Sequence, residues 1–287
     1  MKPIPIRHIN GTLKEPAFSE SFDIVDIHQY LSGKIMIQEL HRHSFYYVLV
    51  LEKGSGEHRI DFETYMIQDY CLFFMRPGQV HEIVISSEST GYLLKFSKDF
   101  YAPTEASSKQ VLRKISNKNF WVLEEGKMKE ILLILSNIFR ENNAQQERYL
   151  ETIQAYLSVF FIALLRQREA KDLENSHHDY MQERLEEFHE LIRISATQHK
   201  QLSYYSQQLN LTPYQLNAIT KTTLGKTSRE VIIDYLILEA KRNLLASSNQ
   251  VSQIAWHLGY EDVSYFVRFF KKHTGYSPEA FRKNFKL

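Results

Sequence analysis

The most constraining feature of this 287-residue chain is an internal repeat near its C-terminus, with an offset of about fifty residues. Two hydrophobic positions repeat at an offset of 49, and five further positions repeat at an offset of 50. The pairs are Leu209 with Leu258, Leu211 with Tyr260, Leu216 with Phe266, Ile219 with Phe269, Lys221 with Lys271, Gly225 with Gly275 and Val231 with Phe281. Such a repeat predicts two copies of one supersecondary unit in an all-helical region.

Each copy has the pattern of a short helix, a tight turn and a second, capped helix. The turns are predicted at Asn210-Leu211 and Gly259-Tyr260, because asparagine and glycine tolerate a positive φ. The predicted N-caps are Thr212, which Pro213 follows, and Asp262, and the predicted left-handed C-caps are Gly225 and Gly275. This arrangement is a helix-turn-helix, present twice.

In a DNA-binding helix-turn-helix the second helix enters the major groove, so its exposed side chains meet base edges and phosphates. The positions expected to face DNA are Tyr214, Asn217, Ala218 and Lys221 in the first copy and Val263, Ser264, Val267, Arg268, Lys271 and Lys272 in the second. A guanidinium can bind guanine, and a carboxamide adenine, through two hydrogen bonds each, which favours base recognition by Arg268 and Asn217. Lys271 and Lys272 are expected to hold phosphates.

The charge distribution also favours a polyanionic partner. Residues 200–287 contain twelve Lys and Arg against six Asp and Glu, a net charge of +6, whereas the rest of the chain carries −5. A capping box at 227–230 predicts a helix between the copies that runs to about Ala246 and is roughly 27 Å long. Two recognition helices held apart by such a helix can enter successive major grooves on one face of the duplex. One chain is therefore expected to bind an asymmetric site about two DNA turns long.

The region before the repeat changes from strand-like to helical periodicity. Six short strands are predicted between Gly33 and Phe100, as in a sandwich or small barrel, and two amphipathic helices follow between Gly126 and Arg168. The polar run at 171–179 is typical of a linker. The predicted domains are 1–120, an effector-binding barrel; 121–171, a helical dimerisation segment; 172–180, the linker; and 181–287, the DNA-binding domain.

The second amphipathic helix, predicted over 147–168, bears an apolar stripe formed by Tyr156, Phe160 and Leu164. The stripe is broader than a helix covering a small barrel requires, which predicts a homodimer through these side chains. Complete burial of the helix in its own domain is the alternative. A glutamate at the centre of the stripe distinguishes the two, because pairing predicts a folded monomer and burial predicts misfolding.

The segments Ile254–Tyr260, Ser264–Lys272 and Gly275–Arg282 are similar to the signature of AraC/XylS-type transcription regulators. The resemblance covers the chain from Gln201 to Phe285. It implies an α+β multidomain protein with an N-terminal cupin-like β-barrel, a helical dimerisation segment and a C-terminal all-α double helix-turn-helix. It also implies activation of transcription through contacts with RNA polymerase. Ala218 departs from the family pattern, in which a long polar side chain is common.

The N-terminal part resembles a cupin in the motifs His41-Arg42-His43 and Arg76–His81. A metal-binding cupin needs His-x-His, a glutamate four residues later and a further histidine, so that all converge on one ion. Tyr47 stands in place of that glutamate. We therefore predict no metal and no other cofactor, and we expect His43, Tyr47 and His81 to be structural or to contact a small-molecule effector.

These features predict a non-enzymatic, homodimeric transcription regulator, an activator, that binds promoter DNA and responds to a small molecule. A single cysteine, the lack of an apolar run of 18 residues and a start without a signal-peptide pattern predict a cytoplasmic protein without a membrane partner. One alternative is a metal-dependent cupin enzyme with an appended DNA-binding domain. Another is an architectural DNA-binding protein with little sequence preference.

Overall fold

The computed structural model describes residues 6–7, 21–101, 106–172, 176–247 and 249–285. The chain divides into two compact units, of which the N-terminal one ends at Asp172. The N-terminal unit combines strands and helices, whereas every element described in the C-terminal unit is a helix. The expected fold class is therefore confirmed.

The strands of the N-terminal unit form two five-stranded sheets, which we call the barrel. They are β1 (Ile6–Arg7), β2 (Phe22–Asp26), β3 (Met36–His43), β4 (Tyr46–Lys53), β5 (Gly56–Ile60), β6 (Glu63–Ile67), β7 (Cys71–Met75), β8 (Val80–Ile85), β9 (Thr90–Phe96) and β10 (Phe120–Val122). The strand order is β1-β3-β8-β5-β6 in sheet A and β10-β7-β4-β9-β2 in sheet B. The described strand pairs are antiparallel, except that β1 is parallel to β3.

Sheet B is buried on both faces, which explains the nearly unbroken apolar sequences of β4 and β7. Leu49 and Phe73 on one face pack in the core that sheet B shares with sheet A. Val48 and Phe74 on the other face pack against helices. Cys71 also lies in the barrel core, where burial raises the pKa of its thiol to about 11, as expected for a structural cysteine.

Four helices belong to the N-terminal unit: α1 (Ile27–Leu31), α2 (Ala106–Ser116), α3 (Glu125–Ala144) and α4 (Tyr149–Asp172). Side chains of the last three form one hydrophobic core with sheet B. Among the described residues, Tyr149–Gln167 is the one segment long and apolar enough to cross a membrane by length and composition. Its buried side chains are Ile153, Leu157, Phe160, Phe161 and Leu164. They pack in the core of this unit, as in the core helix of a globular domain.

The C-terminal unit repeats its geometry as well as its sequence. Its helices are α5 (Ser176–Ser195), α6 (Leu202–Gln208), α7 (Pro213–Leu224), α8 (Ser228–Ala246), α9 (Val251–His257), α10 (Val263–Thr274) and α11 (Pro278–Phe285). Helices α6 and α9 correspond at an offset of 49, and α7 and α10 at an offset of 50. The predicted turn residues Asn210 and Gly259 have φ of 53° and 72°, and the C-caps Gly225 and Gly275 are left-handed. The double helix-turn-helix is confirmed.

The segment predicted as a linker, 172–180, is largely helical. Helix α4 continues to Asp172 and α5 already begins at Ser176, while residues 173–175 lie outside the described part of the chain. The polar start of α5 resembles a linker in composition, but its later residues Leu185, Phe188 and Ile192 are buried in the C-terminal core. The packing of these later residues stabilises the helix.

Candidate nucleic-acid interface and histidine cluster

The outer faces of α7 and α10 carry the predicted DNA contacts at equivalent positions. On α7, Tyr214 is 83% exposed, and Ala218 and Lys221 are also exposed. On α10, the exposed residues are Ser264, Arg268, Lys271 and Lys272, while Val263 and Val267 are half-buried. Each recognition helix therefore turns a mixed polar face to solvent.

The opposite faces of these helices are core. Leu216 and Ile219 of α7, two hydrophobic positions of the repeat, are buried. On α10, Phe266 and Phe270 are the fully buried pair, whereas Phe269, the repeat partner of Ile219, is half-buried. Phe269 packs against the hydrophobic core around the first helix-turn-helix, so it connects the two copies.

The start of α10 is fixed by its N-cap. The Asp262 carboxylate accepts hydrogen bonds from the backbone N–H groups of Ser264 and Tyr265, at 2.7 and 3.2 Å. A guanidinium nitrogen of Arg268 lies 3.8 Å from the same carboxylate, and the Arg268 side chain is 70% exposed. Because such an exposed pair is weak, Arg268 can exchange this contact for a base or a phosphate.

Asn217 has a structural partner that the sequence prediction did not include. Its Oδ1 accepts a hydrogen bond of 2.9 Å from the backbone N–H of Ser228, the first residue of α8. In the second copy these positions are Val267 and Pro278, and proline has no N–H that needs an acceptor. This correspondence indicates that Asn217 joins α7 to α8, so its predicted adenine contact gains no support from the geometry.

Inside the barrel, four histidines of sheet A form a buried cluster, with His43 4% exposed and His41, His58 and His81 fully buried. His41 and His43 lie two residues apart on β3 and so share its inner face, and His41 is the register partner of His81 on β8. The Nε2 atoms of His41, His43 and His81 lie 3.1, 2.7 and 3.0 Å apart in pairs. The geometry thus brings together the histidines of both sequence motifs.

Two contacts bear on which ring nitrogens of this cluster carry a proton. His41 Nδ1 lies 2.7 Å from the carbonyl oxygen of Glu39, which can only accept, so Nδ1 carries a proton. His58 Nε2 lies 2.7 Å from His81 Nδ1. Burial, and then the electrostatic effect of nearby His41, lowers the pKa of His58 to about 3, so the His58 ring is neutral at neutral pH.

The loop before β8 holds two of these histidines in place. Gly78 donates its backbone N–H to the carbonyl oxygen of His43 at 2.8 Å. The buried side chain of Gln79 accepts from the N–H of Arg76 and donates to Asp61 at 2.6 Å. The motif Arg76–His81 is therefore a rigid connection between the ends of β3 and β8.

The predicted effector residues His43, Tyr47 and His81 do lie together. The Tyr47 ring stacks on His43 at 5.2 Å between centroids and lies 5.2 Å from His81. Sequence reasoning missed His58, and it also missed the buried residues Lys95 and Asp23. Lys95 on β9 lies opposite Tyr47 on β4, and Asp23 on β2 lies opposite Lys95. Residues opposite each other in a sheet share a face, so these two charged residues also face the barrel interior.

The aromatic residues of the barrel strands lie in two different cores and do not line one shared cavity. Tyr47 and Phe73 belong to the core between the sheets, whereas Phe74 belongs to the core under the helices. An open groove of about 500 Å³ lies elsewhere, and Tyr92 and Lys129 are among its lining residues. The barrel interior is a packed core with a polar cluster, not one large aromatic pocket.

The stripe predicted to pair two chains is mostly internal. Phe160 and Leu164 are fully buried, and Tyr156 packs against the same core. The alternative reading, burial in the chain's own domain, is therefore correct for these side chains. The periodicity showed an apolar face but not which surface covers it. The exposed apolar residues of α4 are Val159 and Ile162, at 52% and 42% exposure.

Comparison with protein families finds two matching domain models. The AraC-like ligand binding domain matches residues 23–203. A helix-turn-helix domain matches residues 205–284. Together the two models cover nearly all of the chain from β2 to α11.

Similar proteins include the uncharacterized HTH-type transcriptional regulator YfiF of Bacillus subtilis, which is 22% identical over 86% of this chain and 79% of its own length. The HTH-type transcriptional activator RhaR of Yersinia pseudotuberculosis is 21% identical, over 85% of this chain and 84% of its own length. Among solved structures, unsaturated fatty acid bound ToxT from Vibrio cholerae is 16% identical, covers 94% of this chain and 96% of that chain, and has a TM-score of 0.42.

Proposed function

The chain belongs to the AraC family of DNA-binding transcription regulators with a ligand-binding domain, and on that premise we propose that it activates transcription from a specific promoter in response to a small molecule. The observation that carries the proposal is the repeated recognition helix. Both copies have a side-chain N-cap, a left-handed glycine C-cap, a turn residue at positive φ and an exposed polar face at equivalent positions. A chain that needed only a solvated basic surface would not need this geometry twice.

The two recognition helices have different chemical characters, which sets what each reads. The face of α10 carries Arg268, Lys271 and Lys272, and so combines a group suited to guanine with two phosphate contacts. The face of α7 carries Tyr214, Ala218 and Lys221, and only the lysine is charged. The second copy therefore dominates sequence recognition, and the first adds contact area and a phosphate contact.

The barrel is the proposed effector domain, with His43, Tyr47 and His81 among the contacting residues. The family model that matches this region is a ligand-binding one, and these side chains converge on the polar part of the barrel interior. RhaR, a similar protein over most of its length, is a transcriptional activator. In a cytoplasmic activator of this kind, the effector changes how the DNA-binding unit engages the promoter and RNA polymerase.

The regulator is proposed to act as a homodimer. Because Phe160 and Leu164 are internal, the proposed pairing surface on α4 is instead the exposed face that contains Val159 and Ile162. These residues lie three positions apart and so share one face of the helix. Two chains bound to adjacent sites gain apparent affinity without any new DNA contact.

The assignment of roles on α10 is tested by two matched substitutions. Arg268→Ala is expected to weaken the preferred sequence by about 1–3 kcal/mol and to relax preference at one base pair. Lys272→Ala is expected to weaken all sequences alike and to lower the slope of log affinity against log salt by about 1. The measurement is a fluorescence-anisotropy titration on selected and random duplexes at several salt concentrations. Equal losses on both duplexes for Arg268→Ala would refute its base contact.

A further inference from the structure

We infer that the barrel binds one divalent transition-metal ion of the zinc class through the Nε2 atoms of His41, His43 and His81. These three nitrogens form a closed triangle with edges of 3.1, 2.7 and 3.0 Å. Each is buried, and each comes from a strand of one rigid sheet. The inference concerns the barrel alone and stands apart from DNA binding, so either can fail without the other.

Three Nε2 atoms at these distances converge on one point, as the ligand atoms of a single ion do. His41 carries its proton on Nδ1, opposite the Glu39 carbonyl, so the neutral ring presents a lone pair from Nε2. The Nε2 atoms of His43 and His81 lie 2.7 Å apart and face the same point as Nε2 of His41. A cation accepts all three lone pairs at once, which is how neutral imidazoles bind metals.

His58 is the positioning residue of this site. Its Nε2 lies 2.7 Å from His81 Nδ1, so it can accept the Nδ1 proton of His81 and leave the Nε2 lone pair of His81 for the ion. Ligating histidines almost always have such a partner on the second ring nitrogen, and removing it typically weakens metal binding 10–100-fold. His41 has the equivalent partner in the carbonyl of Glu39.

The ligand set determines the class of ion. Three imidazoles favour zinc, copper, nickel or iron, whereas magnesium, calcium and manganese prefer carboxylate and carbonyl oxygens. Ligand nitrogens of a tetrahedral zinc ion lie about 3.3 Å apart, so the triangle needs to widen by only a few tenths of an ångström. The prediction of no metal assumed that the missing glutamate was indispensable. Three protein ligands already suffice for zinc. The replacement of the glutamate by Tyr47 therefore removes one oxygen ligand but leaves a complete set of three histidine ligands.

The test begins with the full chain, stripped by a chelator and titrated calorimetrically with zinc chloride in excess magnesium chloride. One zinc ion per chain is expected, with affinity reduced at least 100-fold by His43→Gln or His81→Gln. His58→Gln is expected to reduce it 10–100-fold. The control is His28→Gln, which replaces an exposed histidine of the same unit and is expected to bind as the wild type does.

X-ray absorption of the zinc-loaded wild-type chain gives a second readout that needs no variant. A zinc ion with three imidazole ligands supports the inference even where a variant fails to fold. Absence of stoichiometric binding overturns it, as does undiminished affinity in folded His43→Gln and His81→Gln. A sulfur ligand or an all-oxygen shell in the absorption spectrum also overturns it. Undiminished affinity in folded His58→Gln contradicts the positioning role.

Discussion

Gly259→Ala is expected to destabilise the C-terminal unit far more than its chemical size suggests. Gly259 has a φ of +72°, and a Cβ built there would lie 1.7 Å from the backbone oxygen of Thr197 and 2.8 Å from Lys200 Nζ. That ammonium also donates to the carbonyl oxygens of Gly259, at 2.7 Å, and Thr197, at 3.2 Å. The methyl group therefore pushes against backbone that is itself held by hydrogen bonds.

The magnitude follows from two additive costs. A left-handed alanine costs about 1–2 kcal/mol, and overpacking against fixed atoms costs about 1–3 kcal/mol more. The sum of about 2–5 kcal/mol corresponds to a loss of roughly 8–20 °C in the midpoint for a unit of this size. The measurement is the thermal transition of the C-terminal unit in the full chain, followed by circular dichroism, together with affinity for the selected DNA.

Gly225→Ala is the matched control. Gly225 has nearly the same φ, +68°, but nothing lies within 4 Å of a Cβ added there. Only the conformational cost of about 1–2 kcal/mol applies. If Gly259→Ala lowers the stability no more than Gly225→Ala does, the close contact between Gly259 and the Thr197 backbone is contradicted.

Val159→Glu is expected to give a folded monomer with weakened promoter binding, which sedimentation measures. Phe160→Glu is expected to misfold because it buries a charge, which circular dichroism detects. Asn217→Val is expected to cost about 1–3 kcal/mol by leaving the Ser228 N–H without its acceptor, and adding Ser228→Pro is expected to recover part of that loss in denaturant unfolding. No recovery in the double variant would contradict the pairing. Residues 173–287 alone are expected to form a soluble monomer that binds the full site, and obligate dimerisation of this fragment would refute the tandem geometry.

The helix-turn-helix repeat could be predicted almost to the residue because its signals are local. Thr212 and Asp262 cap helices with their own side chains, and Gly225 and Gly275 end helices with their own backbone. These rules depend on neighbours a few positions away, so the chain reveals them without tertiary information.

Features that depend on distant partners were predicted less well. Between Gly33 and Phe100 the structure has seven strands where six were predicted, and β6 is the additional one. The turn before β6 uses Asp61 and Phe62 at positive φ, and phenylalanine gives no signal for such a turn. The burial of Phe160 depends on which surface covers α4. His58 joins the histidine cluster only through the pairing of β5 with β8, which its sequence surroundings do not disclose.

Selection of bound sequences from random DNA by the purified full chain tests the central claim, sequence-specific binding through two recognition helices, most directly. The account predicts enrichment of one asymmetric site about two helical turns long, with the strongest preference in one half, where α10 binds. It also predicts that Arg268→Ala flattens preference at a guanine in that half. Recovery of unenriched DNA, with binding that depends on salt but not on sequence, would contradict the account.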